Sequence, residues 1–328
     1  MSLSNLHICN TFFEWELAGD TPPYLKKALQ MNPIIWQLQF LPLAYAHSEE
    51  KIFVTDLPLE KSSPSLVLEE NIPPEQKIIT WGASSLIKKW ADAHGHFYEI
   101  PPWEIVQRVN SKQYSFEKSP LPGATLLFNN DPIPPKCILK SCFGTAGKGS
   151  LFSDSPKAET FCKIQWNKGL PVLAEPWLDK LFDFSTQWSI SPQKKITYLG
   201  VTFLTTGPSG THIGNRVGDT LIEKKREQEI NTQKKKAREV LKEMAELGYF
   251  GEVGFDAMVY LDNDQPRLHP IVEINARKTM GWVALEHKRL HFPGACLELS
   301  YTSSQVEGLL PLRLQDKQFS RQLTCKVK

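Results

Sequence analysis

The chain of 328 residues has no apolar run long enough to cross a membrane. Its longest candidate, "PIIWQLQFLPLAYA" from Pro33, is broken by Gln37, Gln39 and Pro42, short of the ~18 apolar residues a span requires. The N-terminus has neither the basic start nor the apolar core of a secretory signal, so a cytoplasmic location is expected. Cysteine is scattered: Cys9, Cys137, Cys142, Cys162, Cys296 and Cys325 form no CxxC pair and no regular spacing. That excludes a thiolate zinc motif and argues against a disulfide framework, leaving reduced thiols. His94 and His96 stand two apart without a second ligand pair and read as surface or capping residues. Excess charge is absent too, at +2 overall, so composition demands no acidic partner. The one basic stretch, "EKKREQEINTQKKKAR", interleaves glutamates and fits a solvated helix face better than a nucleic-acid surface.

What is present is an ordinary globular composition, 41% hydrophobic and 23% charged, long enough for about two domains. Up to about residue 119 the pattern alternates. "LHICNTF" from Leu6, "KIFVTDL" from Lys51, "KIITWG" from Lys77 and "HFYEI" from His96 read as strands. Between the last two, "SSLIKKWADAHG" reads as a helix with Ser84 as N-cap, Leu86, Ile87 and Trp90 on one face, and Gly95 at the stop. Such alternation predicts a largely parallel α/β sheet. Gly82 has no GxGxxG around it, so no dinucleotide fingerprint is read. The Pro/Gly-rich "KSPLPGA" from Lys118 marks a boundary. Three segments are expected, 1–119, 120–185 and 186–328, with no internal repeat. Residues 221–247 read as helix, with Ala237, Val240, Leu241, Met244 and Leu247 forming its buried stripe.

Three stretches can carry chemistry. In "HPIVEINARKTMG" from His269, Glu273 and Asn275 share one face of a strand with Ile271, while Val272 and Ile274 take the other. A carboxylate and an amide oxygen side by side are hard donors suited to Mg²⁺. A half-exposed polar strand facing water reads equally well from this stretch alone. Upstream, "EVGFDAMVY" from Glu252 and the turn "LDNDQPR" predict an antiparallel hairpin, with Asp256 opposite in face to Val253, Phe255, Ala257 and Val259. If the register sets Asp256 across from Glu273, three oxygen ligands meet. The second stretch, "ILKSCFGTAGKGSLF" from Ile138, places Lys140 before Gly144, Gly147 and Gly149, a strand–loop–strand flap whose N–H groups could approach an anion. It is not a GxxxxGK[ST] loop, and an ordinary glycine turn is its plain alternative. Third, "PVLAEPWLDKLFDF" from Pro171 suits a hinge at Glu175, Trp177 and Leu178, with Asp183 beyond it, or simply a buried strand leaving the core.

In this order the stretches resemble the ATP-grasp superfamily over roughly residues 1–290, with "GFDAMVY…HPIVEINAR" the specific part. The resemblance implies a Rossmann-like pre-ATP-grasp domain followed by a two-lobed ATP-grasp fold, with 120–185 as the small lid. It implies ATP and Mg²⁺, with Mn²⁺ as a substitute. Lys112, in "RVNSKQYSF", and Lys140 would contact phosphates under the Gly144–Gly149 flap. Glu175, Trp177 and Leu178 would line the adenine, and Asp183 the ribose. Asp256, Glu273 and Asn275 would hold the metal. Some members carry an arginine two residues before the first metal carboxylate; here Gly254 stands there, so Arg277 or Arg216 would stabilise the reacting acyl group. His212, Lys278 and Thr279 are candidate substrate contacts.

The activity implied is a carboxylate–amine ligase that acts through an acyl phosphate and releases ADP and phosphate from small-molecule or peptide substrates. A small-molecule kinase, a non-catalytic ATP-binding scaffold and a nucleic-acid binder are the rivals. A homodimer is the default assembly.

Overall fold

Four short apolar segments of the first hundred residues build a parallel sheet, as the alternation predicts. A computed structural model describes the chain except residues 1–2, 21, 60–62, 145–148, 207–211, 304–307 and 316. In chain order the elements begin with β1 (Asn5–Ile8), α1 (Phe13–Leu17), α2 (Leu25–Leu29), α3 (Pro33–Leu38), β2 (Lys51–Phe53), β3 (Leu66–Val67), β4 (Lys77–Thr80) and α4 (Ser85–Ala93). The strands pair in parallel in the order β3-β2-β1-β4. Their apolar side chains Leu6, Ile8, Phe53 and Ile78 pack with Leu29, Ile87 and Ala91 from the helices. Ser84 caps α4 as expected, its hydroxyl accepting from the Ile87 amide at 3.1 Å. The expected strand "HFYEI" is a correction. Only a bridge between Lys77 and Phe97 forms, because Phe97 is 53% exposed and Pro101–Pro102 follow directly.

The chain continues through α5 (Trp103–Val109), α6 (Lys112–Lys118), β5 (Thr125–Leu127), β6 (Cys137–Ser141), β7 (Ser150–Phe152), α7 (Ala158–Trp166), β8 (Val172–Pro176), β9 (Asp179–Ile190), β10 (Ile196–Thr206), β11 (His212–Val217), α8 (Thr220–Lys225), α9 (Glu227–Glu246), β12 (Gly251–Asp262) and β13 (Gln265–Asn275). It ends with α10 (Met280–His291), β14 (Leu297–Ser303), β15 (Arg313–Leu314), β16 (Lys317–Gln318) and β17 (Arg321–Val327). The expected helix over 221–247 is two, α8 and α9, parted at Arg226. Among the described residues no helix is long and apolar enough to cross a membrane.

Two compact units result. The first gathers 1–103, 213–220 and 277–328; the second gathers 104–212 and 221–276. These limits fall elsewhere than the segment limits read from the sequence. The first unit holds the parallel sheet and the antiparallel pairs β11–β14 and β14–β17. The second holds the antiparallel order β13-β12-β9-β10 and a small sheet β5-β8-β6-β7. The architecture is mixed α/β, with parallel and antiparallel sheets.

In the first unit His7 and Asn5 both bind Glu50, at 2.9 and 2.5 Å. The His7 hydrogen bond is the main cause holding the Glu50 carboxyl down at about 2, against its burial and with help from Asn5. The folded pKa lies below the ordinary value of 4.5, so this contribution to stability is complete above pH 4.5 and disappears as pH falls toward about 2. The expected outcome is that Glu50→Gln flattens the acid limb of the stability profile between these values, read by urea unfolding at a series of pH values. A variant whose acid limb matches the wild type would rule out this pair as its source.

Candidate active site in the second unit

The residues that face one another here are fixed by strand register. In β12 and β13 the paired residues are Gly254 with Asn275, Phe255 with Ile274, and Asp256 with Glu273. Paired residues share a face, so the two carboxylates project together from the hairpin. Across the other edge of β12, Asp256 pairs with Ser185, Gly254 with Gln187 and Met258 with Asp183. One face of three strands is therefore polar: Asp183, Ser185, Gln187, Asp256, Glu273 and Asn275. On the reverse face Phe184, Trp188, Val253, Phe255, Ala257, Val259 and Ile274 are all buried. Phe184 and Ala257 pack there with Ile230 of α9.

The period breaks once. Between Asp256 and Met258 the register shifts, so Met258 pairs with His269 and β13 carries extra residues there. At this bulge Ile271 is buried while Val272 is only half-buried, which corrects the inward packing expected for Val272.

Lys112 is brought to the same place by a helix start. Ser111 caps α6 through the Tyr114 amide, and the Lys112 backbone amide donates to the Cys142 carbonyl at 2.9 Å. Its Nζ lies 2.5 Å from Glu273 Oε1. Burial depresses the Lys112 ammonium, but the charge and hydrogen bond of Glu273 outweigh it, joined by Cys142 and Glu175, and hold the group above its usual value. Asn275 Nδ2 donates to Asp256 Oδ2 at 3.1 Å.

The flap is as expected a strand–loop–strand. β6 and β7 pair antiparallel, and the Ser141 hydroxyl donates at the loop's base to the carbonyls of Phe143 (2.7 Å) and Gly149 (3.1 Å). Gly149 adopts a positive φ of 88°, which favours glycine there. Gly144 leads into the loop, and Gly147 lies outside the described residues. Lys140 ion-pairs with the buried Glu175. Trp177 is 57% exposed and meets the flap through Phe152, with ring centroids 5.1 Å apart. Leu178 sits beside it in the link from β8 to β9, and Asp183 takes a 2.6 Å ion pair from Lys180.

Three members were not read from the sequence. His269 is buried and hydrogen-bonded to the Ser119 carbonyl at 3.0 Å. Burial lowers its pKa first, with Lys140 acting in the same direction and Glu175 against it, so the imidazole near these two is neutral at pH 7. Its distance of four residues from Glu273 along one strand was the available signal. Ser185 and Gln187 were missed likewise, although "DFSTQW" alternates.

Of the remaining candidates, Arg277, Lys278, Thr279 and Arg216 belong to the first unit and His212 ends a segment of the second. Arg277 Nε lies 2.5 Å from Glu14 Oε1. The Lys278 ammonium donates to the Thr80 carbonyl. Thr279 caps α10 by accepting from the Trp282 amide at 3.0 Å. Arg216 faces Asp219 at 3.7 Å and Glu298 at 3.6 Å. His212 opens β11, and its side chain lies outside the described residues.

Among the described residues no three His, Cys, Asp or Glu side chains gather as a metal group. The expected ligands are two carboxylates and an amide, with the Lys112 ammonium ion-paired to Glu273. All three supply hard oxygen donors, so the set fits Mg²⁺.

No protein-family model matches the chain, and no curated protein matches it. Solved structures do match in fold. An ATP-grasp superfamily protein from Archaeoglobus fulgidus aligns at 14% identity and TM-score 0.55, over 100% of both chains. N5-carboxyaminoimidazole synthetase from Staphylococcus aureus, complexed with ADP, aligns at 9% identity and TM-score 0.54, over 100% of this chain and 94% of that one. Biotin carboxylase from Campylobacter jejuni, in a β-γ-ATP complex, aligns at 11% identity and TM-score 0.51, over 94% of this chain and 78% of that one.

Lys140→Met should leave the buried Glu175 carboxylate unpaired and cost up to about 3 kcal/mol. Lys140→Met with Glu175→Leu should recover most of that loss. Urea midpoints of both variants against the wild type check it, and equal losses in both would disprove the pairing argument.

Proposed function

We propose that this chain, which has the ATP-grasp fold, is an ATP-dependent carboxylate–amine ligase of the ADP-forming type. The observation that carries the reading is the Asp256–Glu273 register pair with the Lys112 ammonium against it. Two carboxylates and two lysines on one unit suit a polyphosphate with its cation. The same-fold structures solved with ADP and with β-γ-ATP support the choice of nucleotide. Within this reading residues 120–185 act as the lid and 186–328 as the large lobe with its C-terminal tail, and the protein works in the cytoplasm as a homodimer.

Asp256, Glu273 and Asn275 would hold Mg²⁺, which when bound would neutralise phosphate charge that otherwise repels a nucleophile. Lys112 and Lys140 turn from their carboxylate partners to phosphate oxygens. The strands β6, which carries Lys140, and β7, which follows Gly149, stand on the phosphate side. Glu175, Trp177 and Leu178 line the adenine, with Asp183 at the ribose. The substrate carboxylate accepts the γ-phosphoryl group, ADP leaves, and an amine displaces phosphate from the acyl phosphate. Neutral His269 adds no charge against Lys140.

The test is incubation with ATP, Mg²⁺ and pooled carboxylates and amines, reading ADP release. Release that depends on an amine is expected, with Glu273→Gln slower by about 10²-fold or more. Binding of ADP should change Trp177 fluorescence, an effect absent in Trp177→Phe. Phosphorylation of a hydroxyl compound would make the chain a kinase. Tight ATP binding without turnover would make it a scaffold, and either result overturns the ligase reading.

A further inference from the structure

The polar face of the second unit continues past its carboxylates. Met258 pairs with His269 on one side and with Asp183 on the other. Met258 and Asp256 stand two residues apart on β12, whose pairing with β9 runs unbroken between them, so both point to one face. Two rows of side chains therefore share that face: Glu273, Asp256 and Ser185 in one, His269, Met258 and Asp183 in the next. The rows are about 7 Å apart along the strands. Within the second row the backbones of His269 and Asp183 are about 10 Å apart, with the half-buried Met258 between them.

The hydrogen bonding of His269 is incomplete. The residue is 5% exposed. The Ser119 carbonyl can only accept, so the Nε2 that lies 3.0 Å from it carries the hydrogen. Burial, the main cause, lowers the pKa of the ring and keeps it neutral at pH 7. Nδ1 is thus a bare acceptor, and it is buried without a hydrogen-bond partner among the described residues. The charged groups acting on the ring are Glu175 and Lys140. Glu175 pairs with Ile138, two residues before Lys140, so acid and lysine share a face of the small sheet.

A buried acceptor left without a donor costs free energy that a bound donor recovers. A nucleotide brings few donors. Its phosphates supply only acceptors, and in the ligase reading its ribose hydroxyls go to Asp183, at the far end of the row. The donor left for His269 is an amino group on the base. Such a group has two N–H bonds and can serve Nδ1 of His269 and the Glu175 carboxylate together. A carbonyl in its place would set an oxygen against two acceptors, which is how a polar site rejects a close analogue.

We propose that His269 is a specificity-determining residue of the nucleotide site, its Nδ1 accepting from the exocyclic amine of the base, so that a 6-aminopurine is taken in preference to a 6-oxopurine. Met258 offers the base an apolar floor between His269 and the ribose. The proposal rests on the nucleotide site of the ligase reading, and His269 is not among the residues that the ATP-grasp resemblance supplies.

The experiment is calorimetry on the full chain with ADP and inosine diphosphate, which carry an amino and an oxo group at position 6. The wild type should bind ADP tighter by about tenfold or more. His269→Phe, which keeps a ring of similar size and removes the acceptor, should lower that ratio about fivefold or more. His269→Leu serves where His269→Phe does not fold. A loss through misfit alone weakens both nucleotides together, so an unchanged ratio in the variant overturns the proposal. Equal affinities in the wild type overturn it without any variant. Binding of neither nucleotide sinks the ligase reading and this proposal with it, whereas ADP binding with the ratio kept in His269→Phe sinks this proposal alone.

Discussion

The pairing of Asp256 with Glu273 across β12 and β13 is the constraint on which the second unit's chemistry depends. A slip of one residue would send Glu273 into the layer occupied by Phe255 and Ile274, where an unpaired carboxylate is costly. The apolar set that α9 covers therefore fixes the polar set on the opposite face. Burial of Phe184, Phe255 and Ile274 does the positioning, and the carboxylates follow from the period of the strand. The bulge before Met258 ends the alternation where His269 turns to the Ser119 carbonyl.

Around that pair the charges are arranged lysine against carboxylate: Lys112 with Glu273 and Lys140 with Glu175. Each pair lowers the cost of keeping its members partly buried. In the proposed reaction the arriving phosphates offer the lysines an alternative acceptor and the cation offers Glu273 an alternative partner. Nucleotide and cation then reinforce each other's binding, because each releases the group the other needs. The link from the Lys112 amide to the Cys142 carbonyl ties the helix bearing one lysine to the strand bearing the other.

Much of this was legible in particular residues. Ser84 and Ser111 begin helices because a serine hydroxyl can take an amide that the helix leaves unpaired, a local property. The hairpin from Glu252 to Asn275 was legible from alternation and its polar turn, and the flap from its glycines. "HFYEI" was misread because alternation cannot say whether a neighbouring strand exists for Phe97 to pair with along its length. Thr279 was read as a substrate contact, yet its hydroxyl caps α10, a role its place before "MGWVALEH" also allowed. Glu14 and Glu16 lie two residues apart and looked alike in the sequence. One closes the start of α4, while the other has no hydrogen bond among the described residues.

The sequence by itself determined the elements, their faces and the residue types able to hold a phosphate and a cation, because periodicity and capping act within a few residues. Only the tertiary structure decided that Asp256 meets Glu273, that Lys112 reaches Glu273 from 161 positions away, and that Lys278 is buried. Those facts depend on strand register and on the packing of distant segments. Both are set by the summed burial of many apolar side chains, which no single stretch of sequence contains.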